Sequence, residues 1–208
     1  MKVICISDTH NLHHQAPPIP DGDILIHAGD ITRSGSFQDV ENFNNWLGTL
    51  PHRYKVCICG NHDFCFERNL EASKKLITNA HYLQDSEITI EGLKIYGSPW
   101  QPWFLDWAFN LERGAELKAK WDKIPDDTNI LITHGPPQGI LDRVRSGELV
   151  GCEELRKRLS TLKQLKLHVF GHIHEAYGTA ELDNIKLVNA STCTLQYVPN
   201  NGAVVVEV

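Results

Sequence analysis

The chain has 208 residues, which is ample for one domain and short for two. With 41% hydrophobic and 22% charged residues, its composition is that of an ordinary soluble globular protein, which excludes a disordered or fibrous chain. The formal net charge of −6 disfavours a long nucleic acid as partner, because proteins bind its phosphates through an excess of basic residues. Eleven histidines are the unusual feature, since histidine is widely used for metal binding and proton transfer.

Strand and helix patterns alternate along most of the chain. Short runs rich in Val and Ile predict buried strands at Lys2–Ile6, Asp23–His27, Lys55–Cys59, Asn129–Thr133 and Lys166–Phe170. Apolar residues at helical spacing predict helices at Phe37–Leu47, Phe66–Ile77, Arg113–Lys123 and Cys152–Leu162. This alternation indicates an α/β fold.

Two further regions, Ser86–Gly97 and Ile185–Val208, are strand-like with polar interruptions. Their turn signals, Glu91-Gly92 and Pro199–Gly202, predict hairpins or a second sheet. The Pro- and Trp-rich segment Gly97–Trp107 is the one stretch where a domain boundary could be drawn. Because core-like patterns flank it and its composition is not that of a flexible linker, we interpret it as a loop and expect residues 1–208 to form a single domain.

The sequence also predicts the cellular compartment of the protein. The segment Met1 to Ile6 lacks the basic and apolar regions of a secretory signal, so we expect a cytoplasmic protein. No apolar run is long enough to cross a membrane, and we expect no membrane partner. The six cysteines show neither a CxxC pair nor the spacing of a disulfide framework, and we predict buried thiols.

A cluster of metal-capable residues follows each of the five predicted core strands. The clusters are Asp8-Thr9-His10, Gly29-Asp30, Gly60-Asn61-His62-Asp63, His134-Gly135 and Gly171-His172-Ile173-His174. Each alone has an ordinary explanation, such as an Asp that caps a helix or an Asn in a left-handed turn. Because ligands of open α/β sheets bind at the carboxyl ends of the strands, we expect all five loops to converge on one rim. The adjoining glycines permit close approach of the backbone to a ligand.

The donor set constrains the metal. Two aspartates, one asparagine and four histidines, with no thiolate, suit manganese, iron, cobalt, nickel or zinc better than calcium. Seven ligands exceed what one ion normally takes from a protein, so we predict two divalent transition-metal ions about 3.5 to 4 Å apart, with manganese first among them.

In this order, the five clusters resemble the signature of the calcineurin-like metallophosphoesterase superfamily, which reads D-x-H, G-D, G-N-H-D/E, H-G and G-H-x-H. Further segments resemble its metallophosphoesterase domain-containing, brain protein-like subfamily; they are His27–Asp30, Gly97–Trp100, Thr133–Pro137, Phe170–Glu175 and Asn189–Cys193. The similarity covers nearly the whole chain. It implies a four-layer αββα sandwich in which two mixed β-sheets lie between helices.

The resemblance also implies a role for each site residue. One ion would be held by Asp8, His10 and His174, the other by Asn61, His134 and His172, with Asp30 bridging the two. His62 would be free of metal and, together with Asn61, would face the substrate phosphate. His62 would then protonate or stabilise the leaving oxygen, and Asp63 would fix the orientation of its ring.

One departure from the superfamily bears on the substrate. The phosphoprotein phosphatase branch carries Asp-Arg-Gly after the second block, whereas the arginine here, Arg33, is shifted by one position. We interpret Arg33 as a solvated loop residue, which weakens a protein phosphatase assignment and favours a small phosphodiester.

We therefore predict a dinuclear metal-dependent phosphodiesterase. It would hydrolyse small phosphodiesters, nucleotides or cyclic nucleotides among them, by attack of a metal-bridging hydroxide. The alternatives are a phosphomonoesterase or protein phosphatase, and a non-catalytic metal-binding scaffold.

Two groups of residues outside the motifs have more than one explanation. His27 and His168 lie in core strands near the rim, where we interpret them as satisfied core histidines, with hydrogen bonding to metal ligands as the alternative. Trp100, Trp103 and Phe104 form either the small core of their own loop or an aromatic wall that stacks on a nucleobase.

Overall fold

Strands and short helices alternate along the structure, a computed structural model that describes residues 1–208. The strands are β1 (Lys2–Ile6), β2 (Ile24–Ala28), β3 (Tyr54–Ile58), β4 (His81–Tyr82), β5 (Ser86–Ile90), β6 (Leu93–Ser98), β7 (Gln101–Pro102), β8 (Asn110–Leu111), β9 (Ile130–Thr133), β10 (Leu167–Phe170), β11 (Gly178–Leu182), β12 (Ile185–Asn189) and β13 (Val204–Glu207). The α-helices are α1 (Phe37–Thr49), α2 (Phe64–Arg68), α3 (Leu70–Leu76), α4 (Ala115–Trp121) and α5 (Glu153–Leu159). Short 3-10 turns occur at His13–Gln15 and His174–Ala176.

Two mixed sheets contain eleven of these strands. The first has the order β13-β1-β2-β3-β4, in which β13 alone is antiparallel to its neighbour. The second has the order β11-β12-β10-β9-β6-β5, with antiparallel strands at both edges and parallel strands between them. The strands β7 and β8 form a separate parallel pair.

Three hydrophobic clusters define four layers. The central one lies between the sheets and takes residues such as Val3 and Ile26 from the first and Ile132 and Val169 from the second. Another packs the outer face of the first sheet against α1, α2 and α3, and the third packs the outer face of the second against α4 and α5. The result is the expected four-layer αββα sandwich.

The strand sequences explain this layering. Side chains of a strand alternate between its two faces, so both faces of a central strand must be apolar when both are covered. In β1, Val3 and Cys5 enter the cluster between the sheets, whereas Ile4 and Ile6 face the helices. All six cysteines are free and buried, as predicted.

The helices follow their sequence signals with one exception. Ser36 caps α1 by accepting a hydrogen bond from the Asp39 amide, and Val40, Phe43 and Leu47 form its buried stripe. The single helix predicted over Phe66–Ile77 is instead two, α2 and α3. They are separated at Asn69, whose side chain caps α3 through the Ala72 amide. No helix is both long and apolar enough to cross a membrane.

The last part of the chain only partly follows the prediction. Ser86–Gly97 forms the antiparallel pair β5 and β6, as predicted. The hairpin predicted at Pro199–Gly202 does not form, because β12 joins the second sheet and β13 joins the first, and the predicted alternative of a second sheet is confirmed for β12. The hairpin in this region precedes it, between β11 and β12, where Asp183 and Asn184 both have positive φ. The segment from Ala190 to Ala203 therefore connects the two sheets.

Candidate metal centre and substrate cavity

The five motif loops meet at one edge of the sandwich. The loops after β1, β2 and β3 come from the first sheet and those after β9 and β10 from the second, so the site lies across both sheets rather than along one. Asp8 joins the two sides, because its carboxylate accepts hydrogen bonds from the His172 amide and the Ser191 hydroxyl. The site is therefore assembled only when the sheets pack.

One donor group consists of Asp8, His10 and His174. The Nε2 atom of His174 lies 3.3 Å from both Asp8 Oδ1 and His10 Nε2. Ligands at about 2.1 Å from one ion lie about 3.0 to 3.4 Å apart in octahedral or tetrahedral geometry. The spacing of these three donors therefore suits a single metal ion.

A second donor group consists of Asn61, His134 and His172. The Asn61 side-chain oxygen lies 2.8 Å from His134 Nε2 and 2.8 Å from His172 Nδ1. Both distances are hydrogen-bond distances, slightly shorter than the spacing of ligands around one ion, so these donors lie close together and would move apart slightly to share an ion.

Asp30 lies between the two groups. Its Oδ1 atom is 3.4 Å from His134 Nε2, and its Oδ2 atom is 3.7 Å from His10 Nε2. Each carboxylate oxygen thus faces a different donor group, which is the arrangement of a bridging ligand. The same Oδ2 also lies 3.9 Å from His62 Nε2, so His62 is close to the centre as well.

Backbone carbonyls orient two of the histidines for metal binding. His134 Nδ1 lies 3.0 Å from the Ala28 carbonyl, and His174 Nδ1 lies 3.0 Å from the Thr194 carbonyl. Because a carbonyl only accepts hydrogen bonds, each Nδ1 carries the proton, and Nε2 of a neutral ring presents a lone pair to the centre. When Nε2 is deprotonated, its lone pair converges with carboxylate and amide oxygens, which favours a cation at the centre, so the residues present fit a metal.

The electrostatics favour ionised carboxylates. Burial acts against ionisation of Asp8 and Asp30, but His174 beside Asp8 and His134 beside Asp30 outweigh it and hold both pKa values below the usual range. Burial also acts on His134, but the charge of Asp30 raises the pKa of that histidine to about 9. The centre thus holds two buried anions that attract positive charge.

Backbone strain is concentrated at these residues. Asp8, His10, Asp30 and His172 have φ values of 53°, 45°, 55° and 70°, in the left-handed region that residues with a side chain rarely adopt. Such conformations persist where the surrounding structure enforces them, and they cluster at functional sites.

Three of the motif glycines, Gly29, Gly60 and Gly171, leave no room for a side chain. Gly29 has φ of 101°, and a Cβ atom there would lie 2.6 Å from the Cys59 carbonyl oxygen and from His134 Nδ1. A Cβ atom on Gly171 would overlap the Asp8 carboxylate. A side chain at any of these positions would push motif loops apart.

His62 and Asp63 have different partners from those expected. The Nδ1 atom of His62 lies 2.9 Å from the Arg33 carbonyl, and the His62 amide donates to Asp30 Oδ1 at 2.8 Å. The Asp63 carboxylate instead accepts hydrogen bonds from the amides of Ile31, Thr32 and Gly60 and from the Thr32 hydroxyl. The expected contact of Asp63 with the His62 ring is therefore wrong: the Arg33 carbonyl orients the ring, and Asp63 joins the loops after β2 and β3.

The Asp63 side chain is fully buried. Burial, followed by the charge of Asp30, raises the pKa of Asp63 to about 6, and the hydrogen bonds from Thr32 and Gly60 act in the opposite direction.

A cavity of about 490 Å³ opens beside the donor groups. Asn61 and His62 lie in its wall, together with apolar side chains. Trp103 and Phe104 also line it and are 55% and 56% exposed, so these two form the aromatic wall. Trp100 does not line the cavity: its indole donates to Asp85, Lys120 lies over its ring, and it packs against Phe109.

Two residues at the cavity have no motif and were missed by the sequence reasoning. The Trp107 ring lies over the His62 ring, with centroids 4.2 Å apart and planes 30° apart. The Tyr197 hydroxyl lies 3.5 Å from His62 Nε2. Trp107 belongs to the aromatic segment that the sequence singled out, whereas Tyr197 has no signal of its own.

The other polar residues considered from the sequence do not line the cavity. Arg33 has an exposed side chain and does not line the cavity. His27 pairs with the Thr9 hydroxyl and the Gly29 amide, and His168 pairs with the Thr133 hydroxyl. His27 is a satisfied core residue with partners on both ring nitrogens, whereas His168 is a core residue whose Nδ1 has no hydrogen-bond partner.

Known proteins are similar to this chain over most of its length. The family model described as calcineurin-like phosphoesterase matches residues 1–176. Metallophosphoesterase domain-containing protein 1 of Homo sapiens is 46% identical, over 99% of this chain and 70% of that protein. A UPF0046 protein of Caenorhabditis elegans is 35% identical over 100% of this chain and 60% of its own length. A probable glycerophosphodiester phosphodiesterase of Arcobacter nitrofigilis is 28% identical over 90% of this chain and 67% of its own length. With a matching family model and a relative of this identity, the chain belongs to the calcineurin-like phosphoesterase family.

Proposed function

We propose that the chain is a dinuclear metal-dependent phosphodiesterase that acts on small phosphodiesters, nucleotides or cyclic nucleotides among them. The observation that carries the proposal is the position of Asp30, with one carboxylate oxygen toward each donor group, at the wall of a cavity that His62 also lines. Two ions in these groups would take the seven ligands Asp8, His10, Asp30, Asn61, His134, His172 and His174. Manganese is the first choice among manganese, iron, zinc, cobalt and nickel.

The chemistry divides between the ions and the chain. Bound divalent ions would offset phosphoryl charge and lower the pKa of the attacking water. His62 would donate a proton from Nε2 to the leaving oxygen, because its Nδ1 already donates to the Arg33 carbonyl. Trp107 stacks on the ring and limits its rotation, and Asn61, which lines the same cavity, would contact the phosphate together with His62.

The cavity wall supports a small organic ester. Exposed aromatic rings such as Trp103 and Phe104 bind planar or apolar groups by stacking and exclusion of water. The Arcobacter nitrofigilis relative, whose name states a phosphodiesterase, supports the same bond type. A monoester or phosphoprotein substrate is the second candidate within the family.

Turnover by the protein in defined metal states tests this proposal. The protein is stripped of metal with a chelator and resupplied with manganese, zinc, cobalt or magnesium, one at a time. Each form is then assayed with bis(4-nitrophenyl) phosphate beside 4-nitrophenyl phosphate. We expect the diester to be preferred in at least one metal form, and no activity without metal. A preference for the monoester would support the phosphomonoesterase, and no hydrolysis with any metal would support the scaffold.

A further inference from the structure

Tyr197 lies close to the proposed proton donor His62. Its hydroxyl lies 3.5 Å from His62 Nε2, and its ring centroid lies 4.9 Å from that of His10 and 5.4 Å from that of His174. Tyr197 and His62 both line the cavity. The tyrosine thus lies over one donor group with its hydroxyl directed at His62.

The backbone holds Tyr197 there under strain. Its φ is 57°, a left-handed conformation that is unfavourable for a bulky residue. A tight turn enforces it, with the Tyr197 amide donating to the Thr194 carbonyl and the Thr194 amide donating to the Val198 carbonyl. The same Thr194 carbonyl accepts a hydrogen bond from His174 Nδ1, so the turn contacts the candidate metal centre.

Both side chains keep a hydrogen-bonding atom available for a ligand in the cavity. His62 uses Nδ1 on the Arg33 carbonyl, which leaves Nε2 for a ligand. The Tyr197 hydroxyl has no protein partner other than His62. A separation of 3.5 Å is long for a direct hydrogen bond but leaves one oxygen atom room to approach both groups at about 2.8 Å.

We propose that Tyr197 is a second donor to the leaving-group oxygen of the substrate, beside His62. This inference rests on the proposed phosphodiesterase activity. As the bond from phosphorus to the leaving oxygen breaks, its electron pair stays on that oxygen. His62 gives this oxygen a proton from Nε2, and the Tyr197 hydroxyl keeps its own proton while donating a hydrogen bond. Water supplies the new oxygen on phosphorus and returns a proton to His62.

The Tyr197→Phe variant tests this assignment, because it removes the hydroxyl and keeps the ring. Rates are measured on metal-loaded protein with methyl 4-nitrophenyl phosphate, a good leaving group, and methyl phenyl phosphate, a poor one. We expect a loss of about tenfold or more on the phenyl ester and less than about twofold on the nitrophenyl ester, since only the poor leaving group needs the added donor.

Tyr177→Phe is the matched control. Tyr177 donates its hydroxyl to the Gly202 carbonyl and does not contact His62, so its loss should leave the ratio of the two rates unchanged. Metal content and unfolding temperature of both variants are measured in parallel, and we expect wild-type values. The imidazole nitrogen resonances of His62 in the zinc-loaded protein provide a readout independent of turnover, and we expect them to move in Tyr197→Phe alone.

The outcomes separate this inference from the proposed function. If the wild type cleaves both esters and Tyr197→Phe retains the wild-type ratio of rates, the inference is overturned and the phosphodiesterase remains. If Tyr197→Phe loses both activities equally, the hydroxyl does not act on the leaving group, and the inference is again overturned. If the wild type cleaves neither ester in any metal form, both proposals fall.

Discussion

Asp30 is the residue on which both donor groups depend. It is 2% exposed, accepts the His62 amide through Oδ1, and faces His134 and His10 through separate oxygens. The same side chain therefore contacts both groups and holds the His62 backbone beside them.

His62 provides a prediction at the residue scale. In His62→Ala, the amide that donates to Asp30 remains, so we expect both metal ions to be retained. The proton donor is lost, and we expect turnover of a diester with a poor leaving group to fall by about 100-fold or more. Steady-state rates and metal content by mass spectrometry check the two parts.

A diester with a good leaving group is the control, since it needs little protonation and should lose much less activity in the same variant. An unchanged rate on the poor leaving group would count against the role of His62. Loss of one metal ion would instead indicate that His62 is a ligand, as its 3.9 Å distance to Asp30 permits.

At the scale of elements, the connection from β12 to β13 contributes most to the site outside the motifs. It crosses from one sheet to the other and carries Ser191, Thr194 and Tyr197. Ser191 touches Asp8, Thr194 orients His174, and Tyr197 faces His62. One loop thus fixes side chains that come from three different motifs.

The Ser191→Ala variant tests this connection. The Ser191 hydroxyl lies 3.0 Å from Asp8 Oδ2 and 2.8 Å from Asn189 Oδ1, and removing it frees the Asp8 carboxylate to rotate. Loss of such an outer hydrogen bond typically weakens metal affinity by about 10- to 100-fold. Titration of zinc against a competing chelator measures the change at the site that contains Asp8.

Ser160→Ala is a suitable control, since the Ser160 hydroxyl is exposed and donates only to the Lys157 carbonyl at the end of α5. Its metal affinity should equal that of the wild type. Equal affinities in Ser191→Ala and the wild type would show that Asp8 is held by the His172 amide alone.

For the whole molecule, buried histidines predict sensitivity to acid. Burial lowers the pKa of His27 and of His168 to about 3 in the folded protein. The unfolded chain takes up a proton on each near pH 6.5, where the folded protein does not. The unfolded state therefore binds more protons below that pH, and the free energy of unfolding falls as the pH falls.

The His168→Gln variant isolates one of these contributions. Between pH 7 and pH 5, we expect the metal-free wild type to lose about 2 kcal/mol more stability than the variant, which lacks this titrating group. Urea unfolding at both pH values measures the difference, and any general destabilisation by the substitution cancels in it. The same loss in both proteins would mean that His168 is charged in the folded state.

The sequence determined the local features of this protein. Val- and Ile-rich runs are buried strands because alternating faces of apolar side chains need cover, and a metal-capable cluster follows each of five such strands. The composition of those clusters, aspartate, asparagine and histidine without thiolate, already predicts a metal site. The four-layer fold was also expected, because the motifs resemble those of a family with that fold.

Tertiary structure decided how distant parts meet. Residues 185–208 contribute one strand to each sheet because pairing depends on partners far along the chain, which a local turn signal at Pro199–Gly202 does not encode. Packing also decides which side chains Asp63 and Trp100 contact. It likewise brings Trp107 and Tyr197 next to His62. Spacing along the chain predicts which residues reach the rim, whereas the contact between the sheets decides which atoms touch.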